Sequence, residues 1–430
     1  MPPLNVVYLH SHDTGRYVQP YGHAVPAPRL QRLAESGVLF RRNFCVSPTC
    51  SPSRAALLTG QYAHSCGQLG LAHRGFELQH PERHLAWTLR GAGYLTALTG
   101  VQHVVRDPAR TGYEVIERGG RAEEVVPNAT AFLRRAAAAG RPFFLDAGFS
   151  ETHRVFRDAD PQRSPAEDAR YCLPPAPLPD TPETRRDVAD FKASVRVWDG
   201  AVGEILDALD ATGLASRTLV ICTTDHGIAF PAMKCNLTDH GTGVLLILRG
   251  PGLPEGTVVD APVTHLDVFP TVCALAGVAP PDWLQGASLL PLLRGEVERL
   301  HEAVFSEVNY HVPYEPQRAV RTERWKYIRR YDDYGRPMLS DCDDGPSKDV
   351  WLAHGWGERA TASESLFDLV FDPQERHNLA ADPAQAPVLE SLRRRLERWM
   401  EETDDPLLRG PVPAPEGATV GAPEARSPRG

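Results

Sequence analysis

Short apolar runs recur along the chain, and each is followed at once by polar residues. They occupy residues 6–9, 94–98, 142–145, 218–222 and 244–248. Their apolar positions are continuous rather than alternating, which is typical of strands buried on both faces of a parallel sheet. In such sheets ligands bind beyond the carboxyl ends of the strands. We therefore expect the polar residues that follow these runs to form a site.

Helical patterns lie between the apolar runs. They cover residues 28–36, 126–139, 185–209 and 264–276, and the first two end directly before a glycine. Alternation of strands and helices favours an α/β fold with a large, mostly parallel central sheet between helices.

The pattern changes after about residue 300 to short alternating runs at 303–308, 319–322, 325–328 and 365–369. These predict a small antiparallel sheet. A helix should follow, with Leu389, Leu392, Leu396 and Trp399 on one face. Residues 406–430 are mostly proline, glycine, alanine and charged residues, which predicts a disordered tail. We therefore expect a catalytic α/β domain at 1–300, an antiparallel subdomain at 301–405 and a tail at 406–430.

Composition narrows the functional classes. A net charge of −9 argues against a basic surface for nucleic acid or anionic membranes. No run approaches the roughly 18 apolar residues of a membrane span, and the first ten residues lack the pattern of a secretory signal. We expect a cytoplasmic protein whose eight cysteines are free thiols.

Residues 45–67 carry the most informative motif. Ser51 is suited to cap a helix and Pro52 to occupy its first position, which places Cys50 just before a helix N-terminus. Main-chain N–H groups and the helix dipole favour an anion there, and Arg54 could donate two parallel hydrogen bonds to it. Local physics alone leaves an alternative, in which Cys50 is an inert thiol before a capped helix.

The stretch from Cys50-Ser-Pro-Ser-Arg54 to Gly60 resembles the sulfatase signature Cys-X-Pro-X-Arg. In that family a maturation enzyme oxidises the cysteine to Cα-formylglycine, whose hydrate is the nucleophile. The resemblance extends over about residues 4–400 and implies the alkaline-phosphatase-like fold. It is strongest to the N-sulfoglucosamine sulfohydrolase (sulfamidase) branch.

The resemblance also implies a site for one divalent cation. Its ligands would be His12, Asp13, Cys50, Asp225 and His226. His12 and His226 depart from the family pattern, which has an acidic residue and an asparagine there. His10 is an alternative to His12. The family implies Ca²⁺, whereas imidazole ligands make Mn²⁺ or Zn²⁺ suitable.

Other site residues are carried over by the same resemblance. His153 matches the histidine that contacts the leaving group, and His103 matches the histidine of the family's Gly-Lys-X-His motif. Lys234 matches the lysine that binds a sulfate oxygen. Val101 stands where the family has a further lysine. The predicted substrate contacts are Arg154, His240, His311 and Arg318.

The resemblance therefore implies a sulfuric ester hydrolase that acts on a small anionic substrate, such as a sulfated sugar. Phosphonate monoester and phosphodiester hydrolases share the fold and nucleophile, and form the first alternative. The second is an anion-binding protein in which Cys50 stays unmodified. This alternative is supported by Val101, which replaces a lysine of the family pattern.

Overall fold

The computed structural model describes residues 4–156 and 168–428. Its strands are β1 Asn5–Ser11, β2 Val38–Phe40, β3 Asn43–Phe44, β4 Leu95–Gly100, β5 Val115–Glu117, β6 Phe143–Gly148, β7 Thr218–Thr224, β8 Leu246–Arg249, β9 Thr257–Val259, β10 Val263–Thr264, β11 Val304–Tyr310, β12 Tyr314–Arg321, β13 Trp325–Arg330 and β14 Glu364–Asp368. Its helices are α1 Pro28–Glu35, α2 Cys50–Thr59, α3 Ala63–Cys66, α4 Leu85–Gly91, α5 Ala122–Ala139, α6 Pro182–Ala211, α7 Asp239–Thr242, α8 Val268–Ala276, α9 Leu290–Leu293, α10 Pro346–Ala353 and α11 Ala386–Glu402.

An eight-stranded sheet forms the centre, in the order β5-β4-β6-β1-β7-β8-β2-β9. β1 pairs in parallel with both β6 and β7, so Val7 faces Leu145 on one side and Val220 on the other. All five apolar runs overlap strands of this sheet, which confirms the predicted mostly parallel fold. β8 is antiparallel to β7 and β2. β2, β5 and β9 were not predicted, because three residues are too few to show a periodicity.

The continuous apolar runs are explained by two cores, one on each face of the central sheet. Val7 belongs to a core covered by α1, α5 and α6, while its neighbours Val6 and Tyr8 belong to a second core covered by α2, α4 and α8. Each fully buried aliphatic side chain contributes about 1.5–3 kcal/mol. This two-sided burial fixes the strand register, and with it the positions of the strand ends.

A separate antiparallel sheet follows, in the order β11-β12-β13-β14. α11 packs Leu392, Leu396 and Trp399 against Val320 and Leu366 of this sheet. The predicted antiparallel sheet and its helix are thus present.

Residues 411–428, called the wrapping segment below, lie against the body of the protein. Val412 is buried and its carbonyl accepts a hydrogen bond of 2.6 Å from the Tyr310 hydroxyl. Further on, the main-chain N–H of Thr419 donates to the carbonyl of Arg74. This differs from the disordered tail expected from composition. Main-chain hydrogen bonds hold the segment, and composition does not reveal them.

Two further sequence expectations can be compared with the fold. Within residues 4–156 and 168–428, no helix combines the length and the apolar character that a membrane crossing needs. All eight cysteines lie in this part of the chain, where each is a buried free thiol.

Candidate active site

Two aspartates follow the ends of neighbouring strands and meet at the centre of the site. Asp13 follows β1 and Asp225 follows β7, and the two strands pair in parallel. The main-chain N–H of Asp13 donates to Oδ1 of Asp225 at 2.8 Å, and both side chains are fully buried. Parallel pairing therefore brings together two carboxylates that are 212 positions apart.

Two histidines face these carboxylates. His12 Nδ1 lies 2.7 Å from Asp13 Oδ1 and 3.2 Å from Asp225 Oδ2. His226 donates from Nδ1 to the carbonyl of Gly227 at 3.0 Å, which leaves Nε2 as an acceptor that lies 3.2 Å from Asp13 Oδ1. Burial lowers the pKa of His12 to about 4 and also lowers that of His226, so both rings are neutral at pH 7.

His10 points elsewhere and does not replace His12. Its Nε2 donates to Asp146 Oδ1 at 2.8 Å, and its Nδ1 accepts a hydrogen bond from Arg54 at 2.5 Å. Both ring nitrogens are therefore occupied away from the pair of aspartates, and the alternative ligand considered from the sequence is not supported.

Cys50 is the first residue of α2, one position further into the helix than the sequence suggested. Thr49 occupies the capping position, and the Ser51 hydroxyl accepts from the main-chain N–H of Ala72 instead. The Cys50 side chain is only 2% exposed, and its Sγ lies 3.3 Å from His226 Nε2. Burial holds the pKa of the Cys50 thiol well above its ordinary value, so the unmodified thiol is a weak nucleophile.

Arg54 lies beside Asp225 and holds it in place. Its Nη2 donates to Asp225 Oδ2 at 2.9 Å and to the carbonyl of Ser11 at 3.0 Å, while Nη1 faces His10. The guanidinium therefore orients Asp225 rather than presenting two parallel donors to a ligand. Burial alone would raise the pKa of Asp225, but the neighbouring His226 and Arg54 hold it far below its usual range.

Lys234 reaches the site from the loop after β7. Its ammonium donates to Asp13 Oδ2 at 3.0 Å and to Asp343 Oδ2 at 2.8 Å. Burial alone would lower the pKa of Lys234, but these carboxylates hold it well above its ordinary value. Asp343 was not anticipated: it lies in the run Asp341-Cys-Asp-Asp344, which resembles an ordinary solvated loop.

Three more histidines line the mouth of the site. His153 Nε2 lies 3.9 Å from Asp13 Oδ2, its side chain is 37% exposed, and its Nδ1 donates to the carbonyl of Arg154. His103 Nε2 lies 3.0 Å from Nδ1 of His73, a residue that sequence reasoning missed because it carries no motif. Burial holds the pKa of His103 well below its ordinary value.

A cavity of about 210 Å³ opens above Cys50. Its wall combines the predicted residues His103, His153 and Lys234 with the unpredicted Arg74 and Asp343. Among the four predicted substrate contacts, Arg154 and His311 line this cavity. Both already have partners: Arg154 forms two hydrogen bonds with Asp187 at 2.7 and 2.8 Å, and His311 Nδ1 lies 3.2 Å from Asp341.

The other two predicted substrate contacts lie away from this cavity. Arg318 is fully buried and pairs with Asp405 through Nε at 2.5 Å and Nη2 at 2.9 Å. His240 accepts a hydrogen bond of 2.8 Å from the Tyr17 hydroxyl and lines a different cavity. The fold directs these two side chains elsewhere.

The residues around Cys50 suit a divalent cation. One ligand atom each from His12, Asp13, Cys50, Asp225 and His226 lies within 4.8 Å of all the others. His226 Nε2 lies 3.2 Å from Asp13 Oδ1 and 3.3 Å from Cys50 Sγ, so a cation among these atoms could bind electron pairs from all three. Carboxylate oxygen and neutral imidazole are ligands for such ions.

Family comparisons agree with this geometry. The sulfatase family model matches residues 4–278, and the model for the C-terminal part of N-sulphoglucosamine sulphohydrolase matches residues 234–354. The chain is also 32% identical to N-sulphoglucosamine sulphohydrolase of Homo sapiens over 469 aligned positions, which cover 95% of this chain and 92% of the human protein.

Solved structures with low sequence identity share the fold. One, determined in complex with its substrate D-glucosamine-2-N,6-O-disulfate, has a TM-score of 0.74 at 18% identity and covers 95% of this chain and 99% of its own. Phosphonate monoester hydrolase of Agrobacterium radiobacter has a TM-score of 0.72 at 21% identity, with coverages of 93% and 96%.

Proposed function

The chain belongs to the sulfatase family, and we propose that it is a metal-dependent sulfatase whose nucleophile is formylglycine derived from Cys50. The observation that carries the proposal is the convergence of two aspartates and two histidines on Cys50, which lines the cavity. A cationic Lys234 beside them complements a tetrahedral anion.

We assign the cation to His12, Asp13, Asp225, His226 and residue 50. When bound, such an ion would polarise a sulfate oxygen and favour the deprotonated form of the nucleophile. Ca²⁺ accords with the family, and the two imidazoles make Mn²⁺ or Zn²⁺ suitable as well. Arg54 holds Asp225 and Lys234 holds Asp13, so both carboxylates are oriented by a buried cation.

Residue 50 would supply the nucleophile after maturation. The hydrate of formylglycine carries two hydroxyl groups, whereas the buried Cys50 thiol has a raised pKa and is poorly suited to attack. Its position at the start of α2 places it beside main-chain N–H groups, which favour negative charge.

The remaining side chains would transfer protons and stabilise the developing negative charge. His153 is the candidate proton donor: its Nδ1 is fixed by the Arg154 carbonyl, which leaves Nε2 of this partly exposed side chain for the proton that goes to the leaving group. Lys234 would offset charge on the sulfate oxygens. His103, neutral because it is buried, could accept a proton from residue 50 when sulfate is released.

The proposed substrate is a small sulfate ester or sulfamate, such as a sulfated sugar. This choice rests on the relationship to N-sulphoglucosamine sulphohydrolase and on a related structure that binds a glucosamine disulfate. Within this proposal residues 1–300 carry catalysis. Residues 301–405 contribute His311 and Asp343 to the wall of the cavity.

A phosphonate monoester or phosphodiester hydrolase is the second candidate. Two points support it: the proposed metal ligands include His12 and His226, and a phosphonate monoester hydrolase shares the fold. Purified enzyme should be compared on 4-nitrophenyl sulfate and bis(4-nitrophenyl) phosphate. A larger kcat/KM on the phosphodiester would favour the second candidate.

The decisive test is the mass of the tryptic peptide from Asn43 to Arg54 in protein produced with a formylglycine-generating enzyme. Loss of the Cys50 thiol and gain of an aldehyde is the expected result. Matched protein with Cys50→Ala should show neither the modification nor sulfate release. An intact thiol in active protein would refute the formylglycine mechanism. An intact thiol with no hydrolysis but tight sulfate binding would support a non-catalytic anion-binding protein.

A further inference from the structure

The wrapping segment forms part of the wall of the cavity above Cys50. Pro428 lines this cavity together with Arg74, Val312 and Asp344. The Arg74 guanidinium donates to the carbonyl of Pro428 at 2.8 Å. The segment is therefore a boundary of the cavity and not only a surface extension.

The wrapping segment is attached to the cavity wall at several points. The N–H of Gly421 donates to the Val312 carbonyl at 2.8 Å, and Ser427 Oγ donates to Asp344 Oδ2 at 2.6 Å. Lys348, in α10, donates to the carbonyl of Arg426 at 2.7 Å. Arg74 and Lys348 are far apart in the sequence, so the segment bridges separate parts of the wall.

Most of these contacts use main-chain atoms of the wrapping segment. A substitution would leave them in place, whereas a deletion would remove them. Gly421 is an exception, because a Cβ atom there would lie 2.7 Å from Cγ1 of Val312. A larger residue at position 421 should therefore push the segment off the wall without shortening the chain.

The enclosed volume is small. Ligand cavities commonly measure about 300–1,000 Å³, and this one measures about 210 Å³. It also presents the carboxylate of Asp343 beside the cationic Lys234, so one end suits sulfate and the neighbouring wall suits hydroxyl or amino groups.

We propose that the wrapping segment is a specificity element that limits the substrate to a single sulfated unit and excludes longer sulfated oligosaccharides. This inference rests on the proposed sulfatase function. Removal of the segment's last part should extend the cavity at Arg74 and Asp344 and admit a second sugar unit.

The experiment compares the full chain, a chain lacking residues 422–430, Gly421→Val, and a control lacking only residues 429–430. All are produced with the maturation enzyme. The substrates are D-glucosamine-2-N,6-O-disulfate and a tetrasaccharide that ends in the same disulfated unit. Sulfate release gives kcat/KM for each, and calorimetry gives the affinity of each substrate for Cys50→Ala forms of the same proteins.

The full chain and the control should prefer the monosaccharide by at least 100-fold in kcat/KM. The 422–430 deletion should reduce this preference at least tenfold, through faster reaction of the tetrasaccharide, and Gly421→Val should change it in the same direction. Equal preference in the full chain and in a folded deletion variant would overturn the inference and leave the sulfatase proposal intact. If no form releases sulfate, the sulfatase proposal fails, and calorimetry alone then decides the size preference.

Discussion

The ammonium group of Lys234 donates a hydrogen bond of 2.8 Å to Oδ2 of Asp343, 109 positions further along the chain. Burial alone would raise the pKa of Asp343, but the charge of Lys234 brings it to about 2, so both groups are ionised at neutral pH. The ion pair connects the loop after β7 to the segment before α10, and it places the ammonium group of Lys234 at the cavity.

Substitutions in the Lys234–Asp343 pair should distinguish the effect of losing the positive charge of Lys234 from the effect of losing the contact that positions it. Lys234→Ala is expected to lower kcat/KM for a sulfate ester by about 10²–10³, the usual cost of losing one preorganised donor at a reacting oxyanion. Asp343→Asn should cost about tenfold, mainly through KM, because the ammonium remains but is less well held. Asp343→Glu should recover part of the loss, and exposed Asp349→Asn serves as the control. Equal losses for Asp343→Asn and Lys234→Ala would argue that Asp343 does more than position Lys234.

The role of His153 can be tested through the leaving group. His153→Ala should reduce kcat by about 10²–10³ on an alkyl sulfate, whose alkoxide needs a proton. On 4-nitrophenyl sulfate, whose leaving group is stable without one, the loss should be below tenfold. His73→Ala provides a matched histidine at the same cavity. Loss of the same size on both substrates would contradict proton donation by His153.

Metal content should distinguish His12 from His10. His12→Gln is expected to lower the amount of divalent cation retained after dialysis, because Nδ1 of His12 faces both aspartates. His10→Gln should retain the cation, since both nitrogens of His10 contact Asp146 and Arg54. Elemental analysis by mass spectrometry gives the stoichiometry directly. Retention of full metal content by His12→Gln would remove this residue from the ligand set.

Arg318 should matter for stability rather than substrate binding. Arg318→Met leaves the buried Asp405 without its guanidinium partner, which should lower the free energy of unfolding by about 3–5 kcal/mol. KM should not change at temperatures where the variant is folded. Denaturant titration and steady-state kinetics measure the two effects. Adding Asp405→Asn should recover part of the stability, and a raised KM with unchanged stability would support the original substrate-contact prediction.

His301 should make stability depend on pH. Burial alone would lower its pKa, but hydrogen bonds from Nε2 to Asp267, 2.9 Å long, raise it above the ordinary value. The raised pKa means that the folded state binds the proton more tightly. The resulting stabilisation is complete below the unfolded pKa of about 6.5 and is lost as pH rises through the folded pKa.

His301→Gln should therefore destabilise the protein at pH 5.5 by about 1–2 kcal/mol and have a smaller effect at pH 9. Unfolding free energies at both values test this, with exposed His354→Gln as control. A difference that grows with pH would contradict the assignment.

Much of the fold could be predicted from the sequence because burial leaves a local pattern. Residues 6–9 and 219–222 are apolar at every position, since adjacent side chains enter two different cores. The antiparallel orientation of β8 and the path of the wrapping segment depend on pairing between distant segments, which no local pattern encodes.

The site was predictable to the extent that its residues follow strand ends or carry a family motif, as Asp13, Cys50 and Asp225 do. Asp343 and His73 carry neither signal, and they reach the cavity only through tertiary packing. Arg318 shows the reverse case. It was predicted as a substrate contact, but β12 carries its side chain into the interior, where Asp405 neutralises it.

The burial of Cys50 also bears on the order of events during synthesis. Its side chain is 2% exposed and the remainder of α2 is equally enclosed, so a folded chain offers no access to a modifying enzyme. Under the proposed formylglycine mechanism, we therefore expect conversion of this residue before the chain folds around it. Protein that folds first would then stay unmodified, and adding the modifying enzyme afterwards would not restore it. The yield of active protein would thus depend on the rate of modification relative to the rate of folding.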